Sequence, residues 1–179
     1  MSQNKLTLNS IIRSELIGDE KQIRKVNALA FGQDDEANIV DALREKCPER
    51  ISLVAKMNTE IVGHILFTPA VIESDKNIIR GMGLAPMSVL PAYQNKGIGS
   101  KLVREGLEIV KANRTPFVIV LGHPNYYPRS GFEKASKYQI KSEYEGVPDE
   151  AFMILILDEE KMRGISGIAK YRKEFYAAI

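Results

Sequence analysis

The sequence has little of what marks secreted, membrane or DNA-binding proteins. It contains one cysteine in 179 residues, so no disulfide can form within the chain, and a reducing cytoplasm is the expected setting. No segment approaches the roughly 18 consecutive apolar residues of a membrane span, and the first residues lack the layout of a secretory signal. A net charge of +2 is too small to indicate a DNA-binding protein, but it does not exclude an RNA substrate. We therefore expect a soluble cytoplasmic protein that binds neither DNA nor membrane.

Helical and strand patterns of apolar residues follow each other along the chain, which predicts a single α/β (α+β) domain over residues 1–179. Turn formers such as Asn58-Thr59 separate the segments. The predicted helices are 21–31, capped by Asp19, then 35–47 and about 98–112. The predicted strands are 8–16, 51–57, 60–72, 78–90, 117–121, 133–140 and 151–157, with one helical turn between residues 122 and 132.

Proline and glycine inside the predicted strands indicate an irregular sheet. Pro86 has no N–H to donate, so the strand 78–90 should bulge or part from a neighbour there. Pro69 predicts an irregular or edge position, and Gly63-His64 predicts a bulge. A strand that leaves its partner exposes backbone N–H and C=O groups to a ligand that can pair like another strand.

The segment from Met87 to Ser100 predicts an anion site. A short apolar strand ends at Pro91, and Gly97 and Gly99 then lie at the start of a long helix. The first amides of a helix have no internal partner and carry partial positive charge, which favours a diphosphate-bearing cofactor. Two familiar phosphate loops do not fit, because the P-loop spacing is absent and Leu102 stands where a dinucleotide-binding turn needs glycine or alanine. A glycine-rich turn without a ligand is the alternative.

Two separated motifs resemble one family. The pattern Gln-x-x-Gly-x-Gly from Gln94 to Gly99 is similar to the acetyl-coenzyme A motif of the GCN5-related N-acetyltransferases (GNAT), and Tyr127–Phe132 looks like that family's Tyr-x-x-x-Gly-Phe segment. More narrowly, the chain resembles the bacterial YhbS-like predicted acetyltransferases, many of which have aspartate in place of His123. The resemblance covers about residues 9–158 and leaves 159–179 as a C-terminal extension. It implies a mixed central sheet of six to seven strands, splayed at the fourth and fifth strands and flanked by helices.

The resemblance implies acetyl-CoA as the acetyl donor, held in the slot between the splayed strands. The backbone of residues 87–89 would pair with the pantetheine arm, and residues 94–100 would wrap the pyrophosphate. The implied cofactor-binding residues are Met87, Ser88, Val89, Gln94, Asn95, Lys96, Gly97, Ile98, Gly99, Ser100, Leu121 and Gly122.

Acetyl transfer implies two catalytic groups. The oxygen of the attacked thioester gains negative charge, which the backbone N–H of Val89 would stabilise. The departing thiolate needs a proton, and Tyr127 matches the family tyrosine for that role. The alternative is that Tyr127 is an aromatic anchor of its turn. Tyr126 is the packing residue in this interpretation.

The general base is unknown from the sequence. Glu73, near a strand end, is a candidate, with a solvated carboxylate as the alternative. His64 in an apolar strand predicts a core histidine, and His123 in a turn predicts a hydrogen-bonded loop residue. Neither has metal-ligand spacing with another ligand residue, so no metal is predicted. Cys47 beside Pro48 predicts a structural thiol.

We therefore hypothesise an N-acetyltransferase that moves an acetyl group from acetyl-CoA to a primary amine by direct attack in a ternary complex. The acceptor is a small molecule, a peptide or an aminoacyl group, contacted through loops near residues 31–36 and 138–149, and the protein is a monomer or homodimer. The alternative is a non-catalytic acyl-CoA sensor or an interaction module. The residue pattern of the C-terminal extension predicts either a strand over 166–171, with Phe175 as an aromatic anchor, or a helix over 161–176 that is broken at its glycines.

Overall fold

The computed structural model describes residues 10–178 and consists of a mixed sheet with helices on its faces. Leu8 and Asn9, predicted to begin the first strand and the core, lie outside the described residues. The strands are β1 (Ile11–Ser14), β2 (Ile51–Met57), β3 (Glu60–Glu73), β4 (Ile78–Val89), β5 (Phe117–Leu121), β6 (Glu133–Lys134), β7 (Ile140–Ser142), β8 (Phe152–Ile156) and β9 (Gly167–Lys170). The α-helices are α1 (Glu20–Phe31), α2 (Asp35–Lys46), α3 (Ile98–Ala112) and α4 (Glu159–Met162). Short 3-10 turns cover Pro91–Tyr93, Tyr127–Ser130, Ala135–Tyr138, Asp149–Ala151 and Lys173–Ala178.

The sheet runs in the order β1-β2-β3-β4-β5-β8-β6, and β9 pairs with both β3 and β7. β4 and β5 are parallel neighbours joined by α3, which is the predicted crossover unit. The mixed sheet flanked by helices is confirmed. Within residues 10–178 it has nine strands rather than six to seven, because the short strand β9 pairs with β3 and the short strand β7 pairs with β9.

The apolar stripe of α3 explains how this helix is placed on the sheet. Its buried residues recur at helical spacing: Ile98, Leu102, Val103, Gly106, Leu107 and Val110. Gly106 lies against the ring of Phe67 in β3, where a β-carbon would overlap the ring. Close contact between α3 and β3 therefore sets the position of the N-terminus of α3 beside the end of β4.

The irregularities predicted for β3 and β4 are present. The β3–β4 register shifts between Ile65 and Phe67, where β4 carries an extra residue beside Pro86. The β2–β3 register shifts by one residue next to Gly63. Pro69 lies in the part of β3 that pairs with neither β2 nor β9, so its missing N–H leaves no ladder bond unmade.

The last third of the chain differs from one prediction and agrees with another. The strand predicted over 133–140 is wrong: β6 has two residues, and the chain then forms a 3-10 turn that ends at Gln139 with a φ of 57°. The Tyr138 hydroxyl bonds the Glu133 carboxylate, which stabilises this turn. In the extension, β9 confirms the strand alternative, and Phe175 packs against the core as the predicted anchor.

No helix within residues 10–178 has the length and apolar character needed to cross a lipid bilayer.

Candidate active site

A slot opens where β4 and β5 separate. Their parallel pairing covers Met82–Leu84 on β4 and Val118–Val120 on β5, and it stops there. β4 continues to Val89 beyond that point, past the bulge at Pro86. The second half of β4 therefore presents a backbone edge that no strand of the described sheet pairs with, which is the splay that the family resemblance implied.

The hydrogen-bond register of β4 shows which backbone groups face the slot. The amide of Leu90 donates to the carbonyl oxygen of Val62 at 2.8 Å, so Leu90 and, two residues earlier, Ser88 direct their backbone groups toward β3. Because orientation alternates along a strand, the N–H and C=O groups of Met87 and Val89 face the slot. The slot edge thus offers the N–H groups of Met87 and Val89 and the carbonyl of Met87 to an extended ligand, while the Val89 carbonyl accepts a hydrogen bond from the Gln94 side chain.

Ser88 corrects one of the predicted cofactor contacts. Its side chain is 2% exposed, and its hydroxyl donates to Asn27 Oδ1 at 3.0 Å in the core. The Ser88 backbone groups face β3, since those of Met87 and Val89 face the slot, and its side chain points into the core. Gln94 has a role that the sequence did not reveal: its side-chain amide donates to the carbonyl of Val89 at 3.0 Å and ties the loop to the strand end.

The N-terminus of α3 lies at one end of the slot. The first intrahelical bond runs from the amide of Lys101 to the carbonyl of Gly97 at 3.0 Å, so the amides of Ile98, Gly99 and Ser100 have no intrahelical acceptor. Gly97 has a φ of 83°, which a residue with a β-carbon adopts only with strain. These amides and the helix dipole form a site for an anion.

Tyr126 links the two arms of the slot. Its hydroxyl lies 3.5 Å from Ser100 Oγ, and a β-carbon on Gly99 would come within 2.6 Å of it. The Arg129 guanidinium stacks over the ring at 4.5 Å from the centroid. Gly99 therefore allows this tyrosine, as well as a ligand, to approach the start of α3.

Tyr127 is packed as a buried aromatic whose hydroxyl is left free. Its ring makes edge contacts with Tyr126 at 5.1 Å and Phe132 at 5.6 Å, and a β-carbon on Gly122 would overlap it. Among residues 10–178 no hydrogen bond to this hydroxyl is present, and the side chain lines a cavity. Burial raises the pKa of Tyr127 well above its usual value, so the phenol stays protonated at neutral pH.

The cavity beside the slot has a volume of about 700 Å³ and is mostly apolar. It is lined by Phe31, Glu36, Ile39, Leu84, Ala85, Pro86, Met87, Leu121, Gly122, His123, Pro124, Tyr126, Tyr127, Tyr144, Ala151, Tyr171 and Phe175. Two of the predicted cofactor residues of β5 and its turn, Leu121 and Gly122, are among them. The loops expected to contact the acceptor contribute Phe31, Glu36 and Tyr144.

Tyr171, from the C-terminal extension, packs at the point where β4 and β5 separate. Its ring occupies the space in front of Gly83, where a β-carbon would clash with it. Its hydroxyl accepts a hydrogen bond from the Leu121 amide at 3.2 Å and donates to the Ile119 carbonyl at 3.4 Å. These β5 groups face β4, Ile119 at the centre of the paired stretch and Leu121 one residue beyond it, so the Tyr171 hydroxyl binds β5 where the pairing with β4 ends.

Replacing Tyr171 by phenylalanine is expected to lower the free energy of unfolding by about 1–3 kcal/mol, because a buried hydroxyl loses its two hydrogen bonds to the β5 backbone. Urea denaturation measures this difference. Tyr93→Phe is the control, because its hydroxyl makes one long bond of 3.4 Å to an exposed Glu60. If Tyr171→Phe lowers the free energy of unfolding no more than Tyr93→Phe does, the bonds of the Tyr171 hydroxyl do not stabilise this part of the sheet.

The structure corrects the candidate for the general base. Glu73 lies at the β3 end beside β9, pairs with Lys170 and does not line the cavity. The sequence missed Glu36 as a cavity residue, because an acid in the first turn of a helix looks like a capping charge. Among residues 10–178 no group of three or more His, Cys, Asp or Glu side chains is placed to hold a metal ion.

Comparison with known proteins agrees with this architecture. A family model described as an acetyltransferase (GNAT) domain matches residues 12–135. The uncharacterized N-acetyltransferase YjhQ of Escherichia coli K12 is 42% identical over 117 residues, covering 64% of this chain and 65% of YjhQ, so the chain spans less than two thirds of that relative. YhbS of the same strain is 29% identical over 92% of this chain and 98% of its own.

Two solved structures have the same fold. The crystal structure of Escherichia coli YhbS in complex with CoA has a TM-score of 0.86 at 28% identity, covering 94% of this chain and 93% of that one. A GNAT family acetyltransferase from Brucella melitensis in complex with acetyl-CoA has a TM-score of 0.73 at 33% identity, covering 94% and 99%. With the family model matching well over half of its length, this chain belongs to the GNAT family of acetyltransferases.

Proposed function

We propose that the protein transfers an acetyl group from acetyl-CoA to a primary amine. The observation that carries this proposal is the continuity of one slot, in which the free backbone edge of Met87 and Val89 leads to the unpaired amides at the start of α3. An edge of alternating donors and acceptors suits the amides of pantetheine, and a helix N-terminus suits a diphosphate. The CoA and acetyl-CoA held by the two related structures are of this ligand class.

The proposed chemistry uses groups at the inner end of the slot. The amine nitrogen attacks the thioester carbonyl carbon, and the Val89 N–H, which faces the slot, stabilises the negative charge on the oxygen. The carbon–sulfur bond then breaks, and Tyr127 donates its proton to the departing thiolate. Burial raises the pKa of Tyr127, so the phenol is protonated at neutral pH but is a weak acid; transfer of its proton to sulfur is completed as the amine nitrogen gives up its own proton.

The anion site is tested by Gly97→Ala, which is expected to weaken CoA binding about tenfold in calorimetry, because a β-carbon at positive φ strains the turn by about 1–2 kcal/mol and shifts the amides that follow. Gly146→Ala is the matched control. Gly146 also has a positive φ, 73°, with open space around it, and it does not line the cavity. Equal CoA affinity in both variants, or no heat on adding CoA to the unaltered protein, would contradict the proposed cofactor.

A further inference from the structure

We propose that the acceptor is a small primary amine with an aromatic or branched apolar body, and that Glu36 binds its ammonium group. This inference rests on the proposed acetyltransferase function. It concerns the side of the cavity formed by α1, α2 and the C-terminal extension, away from the anion site at α3.

The lining of the cavity limits the charge that it can bind. Among the described residues, Glu36 is the one carboxylate in the lining, and neither lysine nor arginine contributes to it. A cationic acceptor therefore meets one anion there. A polycation would leave its further charges against apolar walls, and burying an unpaired charge is costly.

The Glu36 carboxylate has no cationic partner among residues 10–178; its side-chain contact is the neutral amide of Gln33, at 3.2 and 3.3 Å. The arginines nearby are engaged elsewhere. Arg24 pairs with Asp41 at 2.7 Å, and Arg44 pairs with Glu15 and Asp41. Glu36 is thus a half-buried carboxylate at a cavity wall, which leaves an ammonium ligand as its counter-ion.

The walls beside Glu36 select the body of the acceptor. Phe31 is 43% exposed at the cavity, an unusual position for a large aromatic side chain, and Ile39 and Phe175 continue the apolar surface. A flat ring or a branched chain buries this surface, whereas an amino sugar would place most of its hydroxyl groups against apolar side chains, although the Tyr144 hydroxyl in the lining has no partner within residues 10–178.

Binding of the ammonium group also supplies the step that acetyl transfer needs first. An alkylamine is protonated at neutral pH and has no lone pair, so one proton passes to the Glu36 carboxylate before attack. The second proton leaves nitrogen when the tetrahedral intermediate collapses, and it restores the proton that Tyr127 gave to the thiolate. The balance is one amide, one free thiol and one proton released to solvent.

The experiment measures kcat/KM with acetyl-CoA for phenethylamine, isoamylamine, glucosamine, spermidine and a peptide with N-terminal phenylalanine. The two small apolar amines are expected to exceed glucosamine and spermidine by about tenfold or more. Glu36→Gln is expected to lower kcat/KM for phenethylamine by about 10- to 100-fold, because a charged hydrogen bond is lost. Its CoA affinity by calorimetry should stay that of the unaltered protein.

The matched control is Asp35→Asn, which removes the same charge one residue earlier on the same helix turn, from an exposed side chain outside the cavity lining. Equal losses in the two variants, a preference for glucosamine or spermidine, or a peptide better than both small amines would overturn this inference. The absence of amine-dependent turnover with all five amines would also overturn it. The panel separates a failure of this inference from a failure of the proposed function. Thiol release with glucosamine, spermidine or the peptide would keep the acetyltransferase and remove only the acceptor assignment, whereas CoA binding without thiol release for any amine would remove both.

Discussion

Replacing Tyr127 by phenylalanine is expected to lower kcat by about 100-fold or more while changing CoA affinity by less than about threefold. The ring packs between Tyr126 and Phe132, so phenylalanine preserves the edge contacts that shape the turn. The hydroxyl makes no hydrogen bond within residues 10–178, so its removal breaks none there. What is lost is the proton for the thiolate. Steady-state thiol release with a saturating amine, alongside CoA calorimetry, measures the two quantities.

The control for this prediction deletes the same hydroxyl outside the cavity. Tyr138→Phe removes a bond to Glu133 on the surface and should leave kcat unchanged. A loss of turnover in Tyr126→Phe but not in Tyr127→Phe would identify Tyr126, and not Tyr127, as the proton donor to the thiolate. An acyl-CoA sensor, the alternative function, would bind CoA in every variant and show no amine-dependent thiol release in any.

The anion-binding half of the candidate site could be predicted from the sequence because it is local. A strand, two glycines and a helix follow one another between Met87 and Ser100, so their relative position depends on short-range geometry. The bulge of β4 at Pro86 and the start of α3 are likewise determined by residues that are close in the chain. The family resemblance then added Tyr127 through a motif with its own glycine and phenylalanine.

The acceptor half could not be predicted in the same way because it is assembled from distant segments. Tyr171 reaches β5 across 50 residues of chain, from an extension that lies outside the resemblance. Glu36 comes from α2 and Tyr144 from a loop, and no local pattern indicates that these side chains meet at one cavity. The error over 133–140 has a related cause, since a side-chain contact between Glu133 and Tyr138 outweighs the strand propensity of that segment.

A buried polar network supports the strand that carries the site. Ser88 donates to Asn27, whose amide donates to His64 Nδ1 at 3.1 Å; His64 Nε2 lies 3.0 Å from Ser52 Oγ, which donates to Glu15. These contacts are all satisfied when His64 is neutral with its proton on Nε2, an assignment from the network. The core histidine expected from the sequence is confirmed, and its side chain is fully buried.

This network predicts that acid destabilises the protein before its carboxylates titrate. Burial, with a smaller contribution from Arg44, lowers the pKa of His64 from 6.5 to about 3. Below pH 6.5 His64 binds a proton in the unfolded chain but not in the folded one. Its contribution to the free energy of unfolding is therefore fully present above that pH and decreases as the pH falls toward 3. Between pH 6.5 and 5 the free energy of unfolding should fall by about 2 kcal/mol from this group. Urea denaturation at half-unit pH intervals measures the slope.

The chain offers a matched control, because its two histidines are His64 and the exposed His123. His64→Gln should be less stable at pH 7.5, since it disturbs the network, but should lose most of the slope between pH 6.5 and 5. His123→Gln should keep both the stability and the slope of the unaltered protein. Five carboxylates have a lowered pKa, and their loss of stability begins only below their usual values near pH 4, so the window between pH 6.5 and 5 reports on histidine. They are Asp19, Glu133, Asp149, Asp158 and Glu174. A slope that persists in His64→Gln and disappears in His123→Gln would show that the buried network does not carry the pH dependence.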